Sequence, residues 1–383
     1  MQNVQARNGV LKLVLFIIYS NMILAFIGIL GFILQRNKNV AILTLTPSLL
    51  DGILAPFGAA DVVWYFNIAQ NGYEHMPFTT EVQTNWAYFP LWPMLLRVIH
   101  WLQMDMLIGG MLINCAFFIL AMISLYLLLR IDFEEDIAMN ASIFMAIFPS
   151  SYFAFRPGPE ALFAFLIAAS FLCTRKGHWI MGGILGACAA LTRVQGVLLF
   201  LPLSLLCYKQ FKRKRTFNPA WLSMCLIPAA LLCYMLYIYS LSGRFLAVFQ
   251  IQEAFDHHLA FPFQAIIQFF ANPQLIGYHS LDLVVISVTA ILLASWIVVR
   301  LLKSGQAPLE YSLFALLCVL VIGSRSNTNA TLRYMWPVFP VYLGMALAVH
   351  QRPIIYSSVF YILTSLQAFY FIAFITEHYW AFT

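Results

Sequence analysis

Phe57-Gly58-Ala59-Ala60-Asp61-Val62-Val63-Trp64-Tyr65, then Ile68-Ala69-Gln70-Asn71-Gly72-Tyr73, then Tyr88-Phe89-Pro90-Leu91-Trp92-Pro93 and Arg97 make up a polar-and-aromatic stretch that follows a long apolar N-terminal run. It carries Asp61, Glu74 and Glu81 in a chain that is 62% hydrophobic and only 9% charged. Where carboxylates are this scarce, a cluster of them between two apolar segments is the first place to look for chemistry. The stretch also fixes the frame for the rest: a loop of this composition needs membrane helices on both sides of it.

The surrounding composition agrees. With 34 Phe, 18 Tyr and 9 Trp among 383 residues, no water-soluble fold could cover the apolar surface, so lipid must be the main solvent. Long continuous apolar runs, rather than short alternating ones, exclude a β-barrel. The expected fold is therefore all-α and polytopic, a single membrane domain over 1–383. A spanning helix needs about 20 apolar residues, fewer where helices break inside a bundle. Spans are expected at 10–34, 106–129, 137–155, 160–174, 178–191, 196–208, 220–241, 281–302, 309–323, 331–350 and 353–376, about eleven in all.

The net charge of +6 does not point to nucleic acid. Much of it sits in Lys209-Gln210-Phe211-Lys212-Arg213-Lys214-Arg215, a positive-inside loop between apolar runs. Strict alternation of the spans places this loop with Arg7/Lys12, Arg130, Arg175/Lys176, Arg300/Lys303 and Arg352 on the cytoplasmic side. The N-terminus is then cytoplasmic, and most carboxylates, Asp61 and Glu160 among them, face outward. Two outer segments, 35–105 and 242–280, are too long for turns and too aromatic for disorder. In the first, Asp61–Asn71 reads as a short helix stopped at Asn71-Gly72, and Leu91–Met104 as a helix lying at the interface. The seven cysteines lie in apolar segments without metal or disulfide spacing.

Asp61 has two readings: an N-cap carboxylate, or a general base whose apolar surroundings raise its pKa. Glu160, in the turn Phe148–Glu160, is either a helix-start carboxylate or a second acid in the same cavity. Thr192-Arg193-Val194-Gln195-Gly196 divides an apolar stretch in two. An arginine there costs at least about 2.5–3.5 kcal/mol at mid-membrane and needs a counter-anion or a water-filled cavity. Arg333 in Asn329-Ala330-Thr331-Leu332-Arg333-Tyr334 poses the same question. Each arginine is either half of an internal ion pair or, taken together, a phosphate grip through paired N–H donors. In the second loop Gln252 and His257 offer polar contacts to a substrate. Glu253, Asp256, His257 and His258 lack the spacing of a metal site, so a divalent ion is conceivable but unsupported. Asn329-Ala330-Thr331 and Asn140-Ala141-Ser142 match the glycosylation sequence.

Asp61-x-x-Trp64-Tyr65-x-x-Ile68-Ala69-x-x-Gly72-Tyr73, with Phe89-Pro90-Leu91-Trp92-Pro93 and Arg97, resembles the first lumenal loop of the PIG-V-like family. That family comprises the second mannosyltransferase of GPI-anchor synthesis and its prokaryotic relatives among the polytopic GT-C glycosyltransferases. Pro149 to Phe163, Thr192-Arg193-x-x-Gly196 with Pro202, Gln252 with Pro262, and Arg333-Tyr334 to Pro340 are similar to later motifs of the family, in order. Two places depart from it: Ala60 stands where the family has Trp, and Pro157-Gly158-Pro159-Glu160-Ala161 where it has Tyr-Thr-Glu-Ser.

The resemblance implies a GT-C-like bundle that transfers mannose from a polyprenyl-phosphate donor to a lipid- or protein-linked acceptor on the outer face, in a prokaryotic plasma membrane. It implies Asp61 as base with Glu160 beside it. Trp64, Tyr65, Arg97, Arg193, Gln252, His257, Arg333 and Tyr334 would contact substrate, and no cofactor is needed. Rival readings are a transporter or flippase of lipid-linked sugar, and an inactive GT-C relative.

Overall fold

A computed structural model describes residues 2–38, 49–255, 260–271, 281–328 and 330–376. His257 lies outside the described residues, as do Asp256, His258, Asn329 and Glu377. The described chain is helical, without a β-strand among the described residues. In order, the helices are α1 (Gln2–Lys38), α2 (Leu49–Leu54), α3 (Asp61–Asn71), α4 (Leu91–Trp101), α5 (Met106–Leu129), α6 (Glu135–Ala146), α7 (Glu160–Arg175), α8 (Trp179–Ala190) and α9 (Phe200–Lys214). There follow α10 (Leu226–Ser242), α11 (Ala247–Gln250), α12 (Gln264–Ala271), α13 (Leu281–Ser304), α14 (Leu309–Gly323), α15 (Thr331–Met335), α16 (Phe339–Val349) and α17 (Pro353–Ile375).

Six helical stretches are long and apolar enough to cross a bilayer: Arg7–Gln35, Met106–Leu129, Val194–Lys214, Pro219–Ser242, Val285–Ser304 and Pro353–Ile375. The protein is thus a polytopic helical membrane protein. The other five expected spans correspond to shorter helices, so length alone does not establish the count of eleven. Two of the five are also broken. The expected span 137–155 ends its α-helix at Ala146 and resumes as a 3-10 turn over Ser151–Phe155. The expected span 331–350 is divided between α15 and α16 at Trp336–Val338. Pro149, and Pro337 with Pro340, explain both breaks, because proline donates no backbone N–H and its ring collides with the preceding turn.

Packing runs α5 on α7, α7 on α8 and α8 on α10, with α16 against α6 and α1 against α17. Leu11, Leu15, Tyr19, Met22 and Phe26 of α1 are exposed, as expected for a helix whose outer face meets lipid. The C-terminal end of α7 is tied by ions. Arg175 bonds both Asp132 and Glu310 (2.7 Å to the latter), and Lys209 reaches Glu310 at 2.5 Å. Glu160 begins the same helix, about 22 Å away at 1.5 Å per residue. The basic loop residues and the candidate site therefore occupy opposite ends of α7.

Residues Gly52–Gly58 and Asp61–Asn71 form a helical pair bent by 72°. Were this pair a crossing, Arg130 would fall on the face opposite Arg7 and Lys12, against the positive-inside bias. We therefore place α3 and α4 in the segment between two crossings. Gly72, with φ of 84°, ends α3 in a conformation that favours glycine, as Asn71-Gly72 predicts. The following loop is pinned down: Trp86 Nε1 donates to the Glu74 carbonyl (2.9 Å), and the Tyr234 hydroxyl of α10 donates to the carbonyls of Trp86 (2.9 Å) and Tyr88 (3.1 Å). Trp92 at the start of α4 is fully buried and donates to the Pro157 carbonyl at 2.8 Å, which fastens the loop to the turn before α7.

Candidate active site

Four charged side chains from four separate segments converge. Glu160, at the first turn of α7, accepts through Oε1 from Arg333 Nε at 2.5 Å and from Arg193 Nη1 at 3.0 Å. Arg333 in α15 also bonds Asp61 through Nη1, and the other Asp61 oxygen accepts from the Tyr88 hydroxyl at 3.2 Å. Glu160 thus joins two guanidinium groups, and Arg333 bridges the two carboxylates. Exposure separates their roles: the Asp61 side chain is 27% accessible, against 1% for Glu160, 5% for Arg333 and 10% for Arg193. Asp61 is the member of this group that a substrate could reach.

Local structure explains each placement. Asp61 does not cap α3: the N-cap is Ala60, without a side-chain capping bond, and the carboxylate is spent on Arg333 and Tyr88 instead. Arg193 sits in extended backbone between the end of α8 and a 3-10 turn over Val194–Leu199. Gly196 permits that break, since a Cβ there would overlap the backbone of Ala189 and Ala190. Gly158 has an equally specific reason, because a Cβ would occupy the place of Glu160 Oε2. The Pro157-Gly158-Pro159 departure therefore gives the carboxylate room.

Asp61 and Tyr88 both lie in the loop clear of the spanning helices. Burial opposes ionisation of Asp61, but Arg333, helped by Arg156 and Tyr88, outweighs it and holds the carboxyl below its ordinary 3.8. This corrects the expectation of a raised pKa, which took account of the aromatic neighbours and not of the arginine. Burial and then the Asp61 carboxylate push the Tyr88 phenol well up, so it remains a protonated donor.

Aromatic side chains wall the site. Trp64 stacks on Tyr88 (centroids 5.7 Å apart), Tyr65 meets the same ring edge-on at 5.1 Å, and Phe255 closes against Trp64 and Tyr88, 5.9 Å from each. Gln252 is half-buried in the 3-10 turn Ile251–Phe255 that supplies Phe255. Tyr334 lies between two guanidinium groups, Arg193 at 4.6 Å and Arg325 at 4.4 Å from its ring centroid, in cation–π geometry.

Not every expected residue joins. Arg97 turns to the C-terminal end of α3, where Nε and Nη2 donate to the carbonyls of Ala69 (2.8 Å) and Ile68 (2.9 Å). Glu74 exchanges bonds with Asn85 (3.1 and 3.3 Å), and Glu81 is exposed. Among the described residues no group of three or more His, Cys, Asp or Glu is placed to hold a metal. Sequence reading missed Tyr88 as a partner of Asp61, and it missed Arg156 and Arg325. Arg156 is 2% exposed and sits four residues before Glu160, a charge in an apolar turn that its rarity could have flagged.

The sequence matches no protein-family model and no curated protein sequence. Solved structures similar to it include those of the oligosaccharyltransferase of Archaeoglobus fulgidus. The apo form is 13% identical, with 93% of this chain and 56% of that one covered and a TM-score of 0.45. The complex with Zn and sulfate is 15% identical over 85% and 49%, with a TM-score of 0.44. The complex of this AglB with an inhibitory peptide and a dolichol-phosphate is 14% identical over 85% and 51%, with a TM-score of 0.42. The chain spans about half the length of these proteins. Likeness of this degree assigns neither fold nor activity. What the fold and site define is a polytopic helical membrane protein with a buried carboxylate–guanidinium cluster at one end of its bundle.

Proposed function

We propose that this chain is a membrane glycosyltransferase of the GT-C type, akin to the PIG-V-like enzymes. It transfers mannose from a polyprenyl-phosphate donor to a lipid- or protein-linked acceptor at the outer face of a prokaryotic plasma membrane. The observation that carries this reading is the convergence of Asp61, Glu160, Arg193 and Arg333, residues distant in sequence that include a reachable carboxylate and two guanidiniums sharing a buried one.

The acceptor hydroxyl attacks the anomeric carbon as the bond from that carbon to the phosphate oxygen breaks, with inversion. The bond electrons leave with the polyprenyl phosphate, and the hydroxyl proton passes to Asp61. Negative charge grows on the departing phosphate, where Arg193 and Arg333 stabilise it. Glu160, nearly inaccessible, holds the two guanidiniums in place without touching the sugar. In the ligand-free protein Arg333 also neutralises Asp61. A donor phosphate competes for Arg333, and each bond it takes from Asp61 leaves that carboxylate a better base. Trp64, Tyr65, Tyr88 and Tyr334 supply apolar and aromatic surface for sugar and lipid; Gln252 offers a polar contact to the substrate.

The test is transfer of labelled mannose from synthetic polyprenyl-phosphate-mannose by the purified protein in lipid nanodiscs, with membrane extract as the source of acceptor. Asp61→Asn is expected to lower transfer by about 10²–10⁴-fold with the protein still folded. Undiminished transfer by this variant would remove Asp61 from the mechanism, and no labelled product from the wild type would end the reading.

A further inference from the structure

We propose that Arg156 is a positioning residue for the reaction above: it clamps the Ala59–Ala60 turn and thereby aims Asp61. The inference rests on the proposed glycosyl transfer for its catalytic meaning, while the clamp itself stands on geometry. Arg156 follows the 3-10 turn Ser151–Phe155, is almost fully buried, and donates through Nη2 to the Ala59 carbonyl at 2.6 Å. Its own carbonyl accepts from the Asn114 amide of α5, and its guanidinium lies over the neighbouring rings of Phe153 and Phe374, 5.5 Å from each centroid. The arginine is therefore fixed from several sides before it reaches the loop.

The turn it holds needs holding. Ala60 has φ of 53° and ψ of −128°, a conformation that glycine adopts freely and that alanine adopts at a cost. Asp61 follows at once as the first residue of α3, and the Ala59 and Ala60 carbonyls take the first backbone bonds of that helix, from Val62 (3.4 Å) and Val63 (3.1 Å). Relaxation at Ala60 would rotate the start of α3 and swing the Asp61 carboxylate away from Arg333 and Tyr88. A buried cation gripping the carbonyl just before the strained residue opposes that relaxation. Arg156 Nε and Nη1 have no protein partner among the described residues, so the Ala59 carbonyl is its one such anchor there.

The experiment compares Arg156→Lys, which keeps the charge and loses the longer planar group that reaches the Ala59 carbonyl and faces Phe153 and Phe374, with Ala60→Val and Ala60→Gly, all in nanodiscs. A β-branched residue resists positive φ and glycine accepts it. Two readouts are taken. The first is hydrogen exchange of the peptide covering residues 57–65, and the second is transfer from polyprenyl-phosphate-mannose. Arg156→Lys and Ala60→Val are expected to speed exchange severalfold in that peptide and leave residues 84–92 as in the wild type. Both should lower kcat by about a hundredfold with KM for the donor within about twofold. Ala60→Gly should match the wild type in both readouts, and the double variant Arg156→Lys with Ala60→Val should be no worse than either single one.

A raised donor KM with unchanged exchange in Arg156→Lys would make Arg156 a phosphate ligand and overturn the proposal. So would wild-type turnover in Ala60→Val, or faster exchange in Arg156→Lys without loss of turnover. If the wild type transfers no sugar at all, the glycosyltransferase reading fails and the exchange data alone decide whether the clamp exists.

Discussion

Replacing Glu160 by glutamine isolates what its charge contributes, because the side chain keeps its size and one acceptor oxygen. In the wild type that oxygen serves Arg333 at 2.5 Å and Arg193 at 3.0 Å. The carboxylate is 1% exposed and its partners 5% and 10%, so the interaction belongs to the buried regime and not to the surface regime worth about 1 kcal/mol or less. Removing one partner of a buried ion pair leaves uncompensated charge and costs about 3–5 kcal/mol. Here Arg193 would lose its carboxylate, and Arg333 would keep Asp61. The expected loss is thus about two to four powers of ten in the folded-to-unfolded ratio. It can be read by titrating the solubilised protein with SDS and following ellipticity. Adding Arg193→Gln removes the stranded cation, so the double variant should lose less than the two single losses added together. A Glu160→Gln loss below about 1 kcal/mol would refute the reasoning, since it would place the cluster in the solvated regime.

Further outcomes follow from the same geometry. Asp61 is held below 3.8, so its ionised form persists as pH falls to that value. So far as Asp61 governs it, wild-type transfer should stay level down to about pH 5. In Arg333→Gln only Arg156 and Tyr88 still offset burial, so the acid limb of kcat/KM for the donor should move to higher pH; a limb that stays in place would separate Arg333 from Asp61. Gly196→Ala should cost about 1–3 kcal/mol or prevent accumulation of the protein, because its Cβ meets backbone that cannot yield. Its unfolding midpoint, compared with that of an alanine at an exposed position, checks this. Thr80→Cys, in the exposed part of the first loop, should react with an impermeant maleimide added outside intact cells. Labelling from the cytoplasmic side alone would invert the topology.

Much of this architecture was legible in the residues because the governing quantities are local or additive. Partition into lipid sums over some twenty side chains, which is why six of the expected spans coincide with helices long and apolar enough to cross. Asn71-Gly72 carries its own stop signal, and α3 ends there. Scarcity of charge singled out Asp61, Glu160, Arg193 and Arg333 before any contact was known. Hydropathy summed over a window does not register Pro149, Pro337 and Pro340, and so the expected spans 137–155 and 331–350 each divide in the structure.

Pairing was a matter for the tertiary structure. Asp61 and Arg333 are 272 positions apart, and nothing in either segment names the other. Only the packing of α7 against α5 and α8 brings Glu160 between Arg193 and Arg333, while Arg97 and Glu74, equally charged and equally close to the motif, are used up by backbone and side chain of the loop itself. Composition determined that the protein lives in a membrane and which of its few charges are costly. The fold decided which of those charges neutralise one another, because Coulomb energy depends on distance and burial, and both are properties of assembled helices rather than of residues in a row.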